Sequence, residues 1–156
     1  MIIEIDTREK PRAIEKIVDY FQQHKIKYIR TKLYVGDYRQ MENPLLVIDR
    51  KQNIAELAKN CTVEHKRFRA ELERCKDIGA ELILLVEQNE YYDRGNKVRV
   101  KEISDLMLWS SPHTTIRGEQ VFRVLASWVA RYPVRVEFCE KRCTGKRIVE
   151  ILQDGR

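Results

Sequence analysis

Two hydrophobic periods alternate along the chain. Ile2–Asp6 is a short apolar run closed by a carboxylate, which predicts a strand. Pro11 is placed at the first position of a helix, because Ile14, Ile17, Val18 and Phe21 then recur at i, i+3, i+4, i+7. Residues 27–35 (KYIRTKLYV) are β-branched and aromatic and predict a second strand, ended by Gly36-Asp37. After the Asn43-Pro44 turn signal, residues 45–50 (LLVIDR) predict a third. Two helical stretches follow; the second carries Phe68, Leu72 and Cys75 at helical spacing and stops at Gly79. Within ELILLVE (81–87) the residues between the two glutamates are continuously apolar, the mark of a strand covered on both faces. Beyond it the pattern predicts an exposed turn over 88–100 around Asp93, Gly95 and Asn96, a helix over 101–109 and a polar loop at Pro112. A longer helix after Gly118 carries Val121, Phe122, Leu125, Trp128 and Val129, and a strand at 134–138 and a helix from about Lys146 close the chain.

Strands interleaved with helices predict an α/β fold with a central mixed sheet flanked by helices. At 156 residues the whole chain, 1–156, reads as one domain, with a core over about 1–90 and a C-terminal extension over about 100–156. Hydrophobic residues reach 43%, enough for a core and too many for a disordered chain. Charged residues are 35%, against about 25% in ordinary soluble domains, and the net charge is +6. That charge is diffuse: +4 over residues 1–78 and +2 over 79–156. It permits a nucleic-acid partner without demanding one. No run of about 20 apolar residues offers a membrane span, and the MIIEIDTREK opening lacks the pattern of a secretory signal. The expectation is a cytoplasmic protein, with no membrane partner and reduced thiols. Cys61, His65, Cys139 and Cys143 can be assembled into a zinc set, but none forms a C-x-x-C knuckle, and buried or spare thiols are the better reading.

The acidic residues at strand ends carry the chemistry. Asp6 closes the first strand, Asp37 follows a glycine, and Asp49 lies inside VIDRK. Side chains two apart on a strand share a face, so Asp49 and Lys51 project together and Arg50 projects opposite. Charges on a half-buried strand are costly without partners. Two carboxylates brought together are ligands for Mg²⁺ or Mn²⁺, and a lysine beside them can act on a water or on a phosphate. Surface ion pairs at strand ends account for the same pattern equally well.

Three strings, Ile5-Asp6-Thr7-Arg8-Glu9, Leu33-x-Val35-Gly36-Asp37-Tyr38 and Asp49-Arg50-Lys51, resemble the nuclease domain of the XPF/Hef family, within the restriction-endonuclease-like PD-(D/E)XK superfamily. Arg67-Phe68 and the strand ending at Glu87 are similar to later family features, so the resemblance spans roughly residues 2–90. It implies a catalytic set of Asp6, Arg8, Glu9, Asp37, Asp49, Arg50 and Lys51. Asp37 and Asp49 bind Mg²⁺ or Mn²⁺, and Lys51 acts on the attacking water or the phosphate. For Arg50 the strand alternation leaves a structural ion-pair role open. Departures are Asp49 where the family usually has Glu, Ala55 followed by Glu56 where an Asp stands four residues after the lysine, and Glu71 in place of Gln. No G-x-G hairpin marks a helix-hairpin-helix module.

The activity implied is metal-dependent hydrolysis of DNA phosphodiester bonds at branched, flap or single-strand/double-strand junction DNA. The competing classes are a non-catalytic DNA-binding or scaffold module and a sequence-specific restriction-type enzyme. Candidate DNA-contacting residues are Lys66, Arg67, Arg69, Arg117, Arg142 and Lys146. For the helix around 66–76, a solvated face laced with ion pairs competes with a DNA face; for the 110–117 loop, an ordinary connector competes with a phosphate site. Residues 131–147 hold six basic and two acidic side chains. The apolar helix over 118–132 is a candidate for homodimer pairing, or simply caps the sheet.

Overall fold

A computed structural model describes residues 1–155. The elements run β1 (Ile2–Asp6), α1 (Glu15–Gln23), β2 (Lys27–Thr31), β3 (Tyr38–Gln40), β4 (Asn43–Lys51), α2 (Ile54–Cys61), α3 (His65–Ile78), β5 (Glu81–Val86), β6 (Glu90–Asp93), β7 (Asn96–Arg99), α4 (Gly118–Arg131), β8 (Val134–Phe138) and α5 (Thr144–Asp154). Six strands form one mixed sheet in the order β2-β1-β3-β4-β5-β8, and β6 and β7 form a separate hairpin.

Pairing is parallel for β1/β2, β4/β5 and β5/β8, and antiparallel for β1/β3 and β3/β4. Only β3 therefore runs against the rest. The carboxyl ends of β1 and β4 and the amino end of β3 consequently meet at one end of the sheet, among its interior strands. Asp6, Lys51 and the residue before Tyr38 are brought together there by topology alone.

Strand alternation splits the core in two. Val47, Leu82, Leu84 and Val86 face α2, α3 and α4, where Leu57, Phe68, Leu72, Leu125 and Trp128 cover them. Ile3, Ile5, Ile48, Ile83 and Leu85 face α1 and α5, covered by Ile17, Phe21, Ile148 and Ile151. β5 is thus buried on both faces, as its apolar run predicts. In α4, Val121, Leu125 and Trp128 are spent on this core; of the predicted pairing stripe Val129 is left exposed.

Several boundaries differ from the pattern-based expectation. Pro11 does not open α1. Residues 10–14 form a separate turn closed by the Lys10 carbonyl, and the helix starts at Glu15. The strand predicted over 27–35 stops at Thr31, because the Leu33 amide is taken by the Asp6 carboxylate instead of a neighbouring strand. The three-residue β3 is too short to show an alternation. The 88–100 segment is not only a turn: strands flank a two-residue loop in which Arg94 and Gly95 both take positive φ (51° and 82°), as a type I′ hairpin requires. The predicted 101–109 helix shrinks to a 3-10 turn over Ile103–Leu106. The Asp105 carboxylate caps the Lys101 and Glu102 amides, and the Tyr91 hydroxyl donates to the Asp105 carbonyl that a longer helix would use.

Candidate active site

At this shared end of the sheet lies a polar cavity of about 470 Å³. β1 and the loop after it supply Asp6, Arg8, Glu9 and Lys10, and the approach to β3 supplies Gly36 and Asp37. β4 supplies Asp49, Arg50 and Lys51; α2 supplies Glu56; α3 supplies Arg67, Phe68, Glu71 and Arg74.

Asp37 is fixed at three points. Its amide donates to the Ile48 carbonyl and its carbonyl accepts from the Asp6 amide, both at 2.8 Å, so its backbone bridges β1 and β4. Its Oδ2 accepts from the Arg50 amide at 2.8 Å. The preceding Gly36 has φ +69°, and a Cβ there would stand 2.2 Å from Val47 Cγ1. Left-handed backbone and lack of room both demand glycine. Gly36→Ala is therefore expected to lower stability by about 1–3 kcal/mol and to displace Asp37. Chemical denaturation would read the first effect and metal titration the second.

Asp49 is buried, and its Oδ1 accepts from Lys51 Nζ at 3.0 Å. The Lys51 ammonium also lies 4.9 Å from the Phe68 ring centroid. Burial opposes the charge on Lys51, but the Asp49 carboxylate outweighs it and holds the ammonium above its ordinary pKa. Burial, Asp49 and Glu9 together push Asp37 well above the usual carboxylate range. Burial and Asp49 likewise raise Glu71, whose Oε1 accepts from the Gly36 amide at 3.0 Å.

On the opposite face of β4, Arg50 is clamped between two acids. Its Nε and Nη2 donate to Glu9 at 2.8 and 3.0 Å, and its Nη1 donates to Glu87 at 2.5 Å. The Thr144 hydroxyl, at the start of α5, donates to the other Glu87 oxygen at 2.7 Å. Burial disfavours the guanidinium's charge, yet the Glu9 and Glu87 carboxylates raise its pKa further. Asp6 is equally committed. Its Oδ1 accepts from the Leu33 amide at 2.8 Å and its Oδ2 from Arg8 Nε at 2.6 Å. Burial raises its pKa, but these donors prevail and hold it below the usual range.

The donor set fits a small hard cation. Among the described residues no three His, Cys, Asp or Glu side chains are grouped so that they could hold a metal ion. A pair of carboxylates with room for water is, however, what Mg²⁺ takes; Asp37 and Asp49 both line the cavity, and Asp49 is close enough to act on the charge of Asp37. The zinc set is not assembled: Cys61 lies in the core under α2 and Cys139 in the core under α5. Burial pushes their thiols up to about 12 and about 11.

The family model of the ERCC4 domain matches residues 5–149. The chain belongs to the ERCC4 domain family. Its fold is similar to that of XPF from Aeropyrum pernix, with a TM-score of 0.67 and 14% identity over 99% of this chain and 61% of that one. XPF from Aeropyrum pernix in complex with DNA gives a TM-score of 0.66 and 14% identity, over 99% of this chain and 64% of that one. The chain spans under two thirds of the length of either solved protein. Compared with the curated proteins, the sequence matches none. The family is thus that of the ERCC4 domain, and the fold is that of the solved XPF proteins.

In this ERCC4 domain all seven residues of the expected catalytic set line the cavity, but they divide by role in the geometry. Asp37, Asp49 and Lys51 converge. Asp6 and Arg8 hold each other and the 33–36 loop. Glu9 and Arg50 belong to the buried ion pair, the structural alternative that strand alternation leaves open. The candidate DNA-contacting residues do not share one face. Arg67 lines the cavity, whereas Arg117 lines a groove with Arg123, and Arg142 lines another with Arg12, Lys16 and Lys141. Lys66 and Arg69 are exposed on α3, the latter's Nε 3.4 Å from the Tyr132 hydroxyl. Lys146 pairs with Glu150 on α5. Glu71 and Arg74, absent from the expected set, join the cavity with Arg67. Their i, i+4, i+7 spacing was the available signal, and it equally describes a solvated ion-pair face.

Proposed function

We propose that this domain is a metal-dependent DNA endonuclease that hydrolyses phosphodiester bonds at branched or flap DNA, with Mg²⁺ or Mn²⁺ held by Asp37 and Asp49. The reading rests above all on the convergence of those two carboxylates with the Lys51 ammonium at one end of an open polar cavity. When bound there, the cation supplies charge neutralisation at the phosphate and a lowered pKa for the attacking water. This chain's own residues supply the rest. The Lys51 ammonium, steadied by Asp49 and the Phe68 ring, stands ready to offset negative charge growing on the phosphate. Arg8, Lys10, Arg67 and Arg74 around the cavity suit the flanking phosphates. The solved XPF in complex with DNA supports a DNA substrate for the same fold.

A panel of duplex, flap, splayed-arm and four-way-junction oligonucleotides with Mg²⁺ or Mn²⁺ tests the reading. Cleavage of branched substrates in preference to duplex is expected, and none with EDTA. Contacts made mainly to phosphates also predict that affinity falls steeply with salt, each neutralised phosphate contributing about 0.9 to the log–log slope on duplex DNA. Cutting of linear duplex at one short sequence would overturn the branch preference, and binding without cleavage would favour a scaffold module.

A further inference from the structure

We propose that Tyr34 is a stacking subsite for an unpaired nucleobase close to the scissile phosphate. The proposal rests on the nuclease reading above and gives its branch preference a physical source. Tyr34 and Tyr92 are the exposed aromatic side chains among the described residues, at 61% and 64%. Tyr92 belongs to the β6–β7 hairpin, whereas Tyr34 is two residues from Gly36 and three from Asp37 on the loop that enters the cavity. The guanidinium of Arg74, itself a cavity residue, lies 5.8 Å from the Tyr34 ring centroid.

The loop that carries this ring is held on both sides. Leu33 donates its amide to Asp6 Oδ1 at 2.8 Å, and its carbonyl accepts from Arg8 Nη2 at 3.2 Å. Gly36 donates to Glu71 Oε1 at 3.0 Å. Leu33 and Val35 are buried at 2% and 4% exposure, so the backbone is anchored immediately before and after the exposed ring. A large flat side chain on a rigid support, beside a cavity of charged groups, has the properties of a base platform. Every nucleobase offers a π-face, so such a platform is indifferent to sequence. Bases inside a duplex already have both faces stacked, and only an unpaired one has a face to give. Arg74 extends the platform with a charge that suits the adjoining phosphate.

The competing account is that the ring merely packs on Arg74. The two separate on flap and duplex substrates cut by the full chain with Mg²⁺. Stacking by alanine substitution is worth roughly 5- to 150-fold in affinity, and Tyr34→Ala should lower kcat/KM on the flap within that range while changing duplex cleavage little. Tyr34→Trp and Tyr34→Phe should keep the preference, and Tyr34→Leu, with bulk but no π-face, should behave as Tyr34→Ala. Removing one base at a time near the cut should expose a position whose loss costs the wild-type protein the same factor and costs Tyr34→Ala nothing further. Equal losses of Tyr34→Ala on every substrate, full activity in Tyr34→Leu, or additive effects of Tyr34→Ala and base removal at every position would overturn the subsite. A 2-aminopurine at that position should be quenched on binding to wild-type protein and not to Tyr34→Ala. This readout needs no cleavage, so a failed nuclease reading and a failed stacking subsite give different results.

Discussion

Asp37→Asn and Asp49→Asn are each expected to slow DNA cleavage at least ~100-fold, the scale of losing one strong transition-state contact. Both keep side-chain size and remove the anionic oxygen that would attract a divalent cation. The two should differ in their structural side effects. Asn at position 37 still presents a carbonyl oxygen to the Arg50 amide, so that contact survives. Asn at position 49 still offers Oδ1 to Lys51 but leaves the buried ammonium without the anionic charge that offsets it at 3.0 Å, and should also weaken the fold measurably. DNA binding without metal should be unchanged or tighter in both, since each loses a negative charge near the phosphates. Lys51→Ala should abolish turnover and slightly weaken binding. Asp49→Glu should retain some activity if the cavity accommodates one more methylene. Single-turnover cleavage with Mg²⁺, beside a binding isotherm in EDTA, separates these effects. Near wild-type rates for both Asn variants would place the chemistry elsewhere.

How much of this site the chain makes legible depends on the kind of order involved. Local order reads well: the alternation in VIDRK places Asp49 and Lys51 on one face and Arg50 on the other, and the structure has them so. The apolar run at 82–86 reads as a strand covered on both faces because nothing else tolerates five consecutive buried side chains there. Long-range order reads poorly. β3 has three residues and no period, yet its reversed direction is what brings Asp37 to the carboxyl ends of β1 and β4. No spacing within residues 31–40 reveals that Leu33 bonds a carboxylate while Tyr38 pairs with two strands. α3 fails for a related reason. Its core face (Phe68, Leu72, Cys75) is clear, but Arg67, Glu71 and Arg74 border that face, and only the packed position of the helix turns them toward the cavity instead of solvent. Glu87 looks like a mere strand end until the loop after β1 delivers Glu9 to the same guanidinium, 41 residues away from Arg50 in the chain.

That three-residue junction yields the second large expected effect, on stability rather than turnover. Arg50→Met should destabilise the domain by about 3–5 kcal/mol, the cost of stripping the partner from buried charge. The two carboxylates it leaves are 11% exposed at Glu9 and 3% at Glu87, so both have little access to water. For a chain of this length such a loss lowers Tm by roughly 6–20 °C. Arg50→Lys cannot reproduce the fork that reaches both Glu9 oxygens and Glu87 together, and should recover only part of the loss. Neutralising the acids in the same background, with Glu9→Gln and Glu87→Gln, should restore stability more effectively than the lysine. Removing unwanted charge repairs the defect, whereas a poorly fitted cation does not. Thermal melts of the four proteins give the order directly. Arg50 also offers its backbone amide to Asp37, a contact that survives any side-chain change. Folded Arg50→Lys should therefore keep metal affinity close to wild type. A variant that melts like the wild type but binds DNA poorly would instead assign the guanidinium to the substrate.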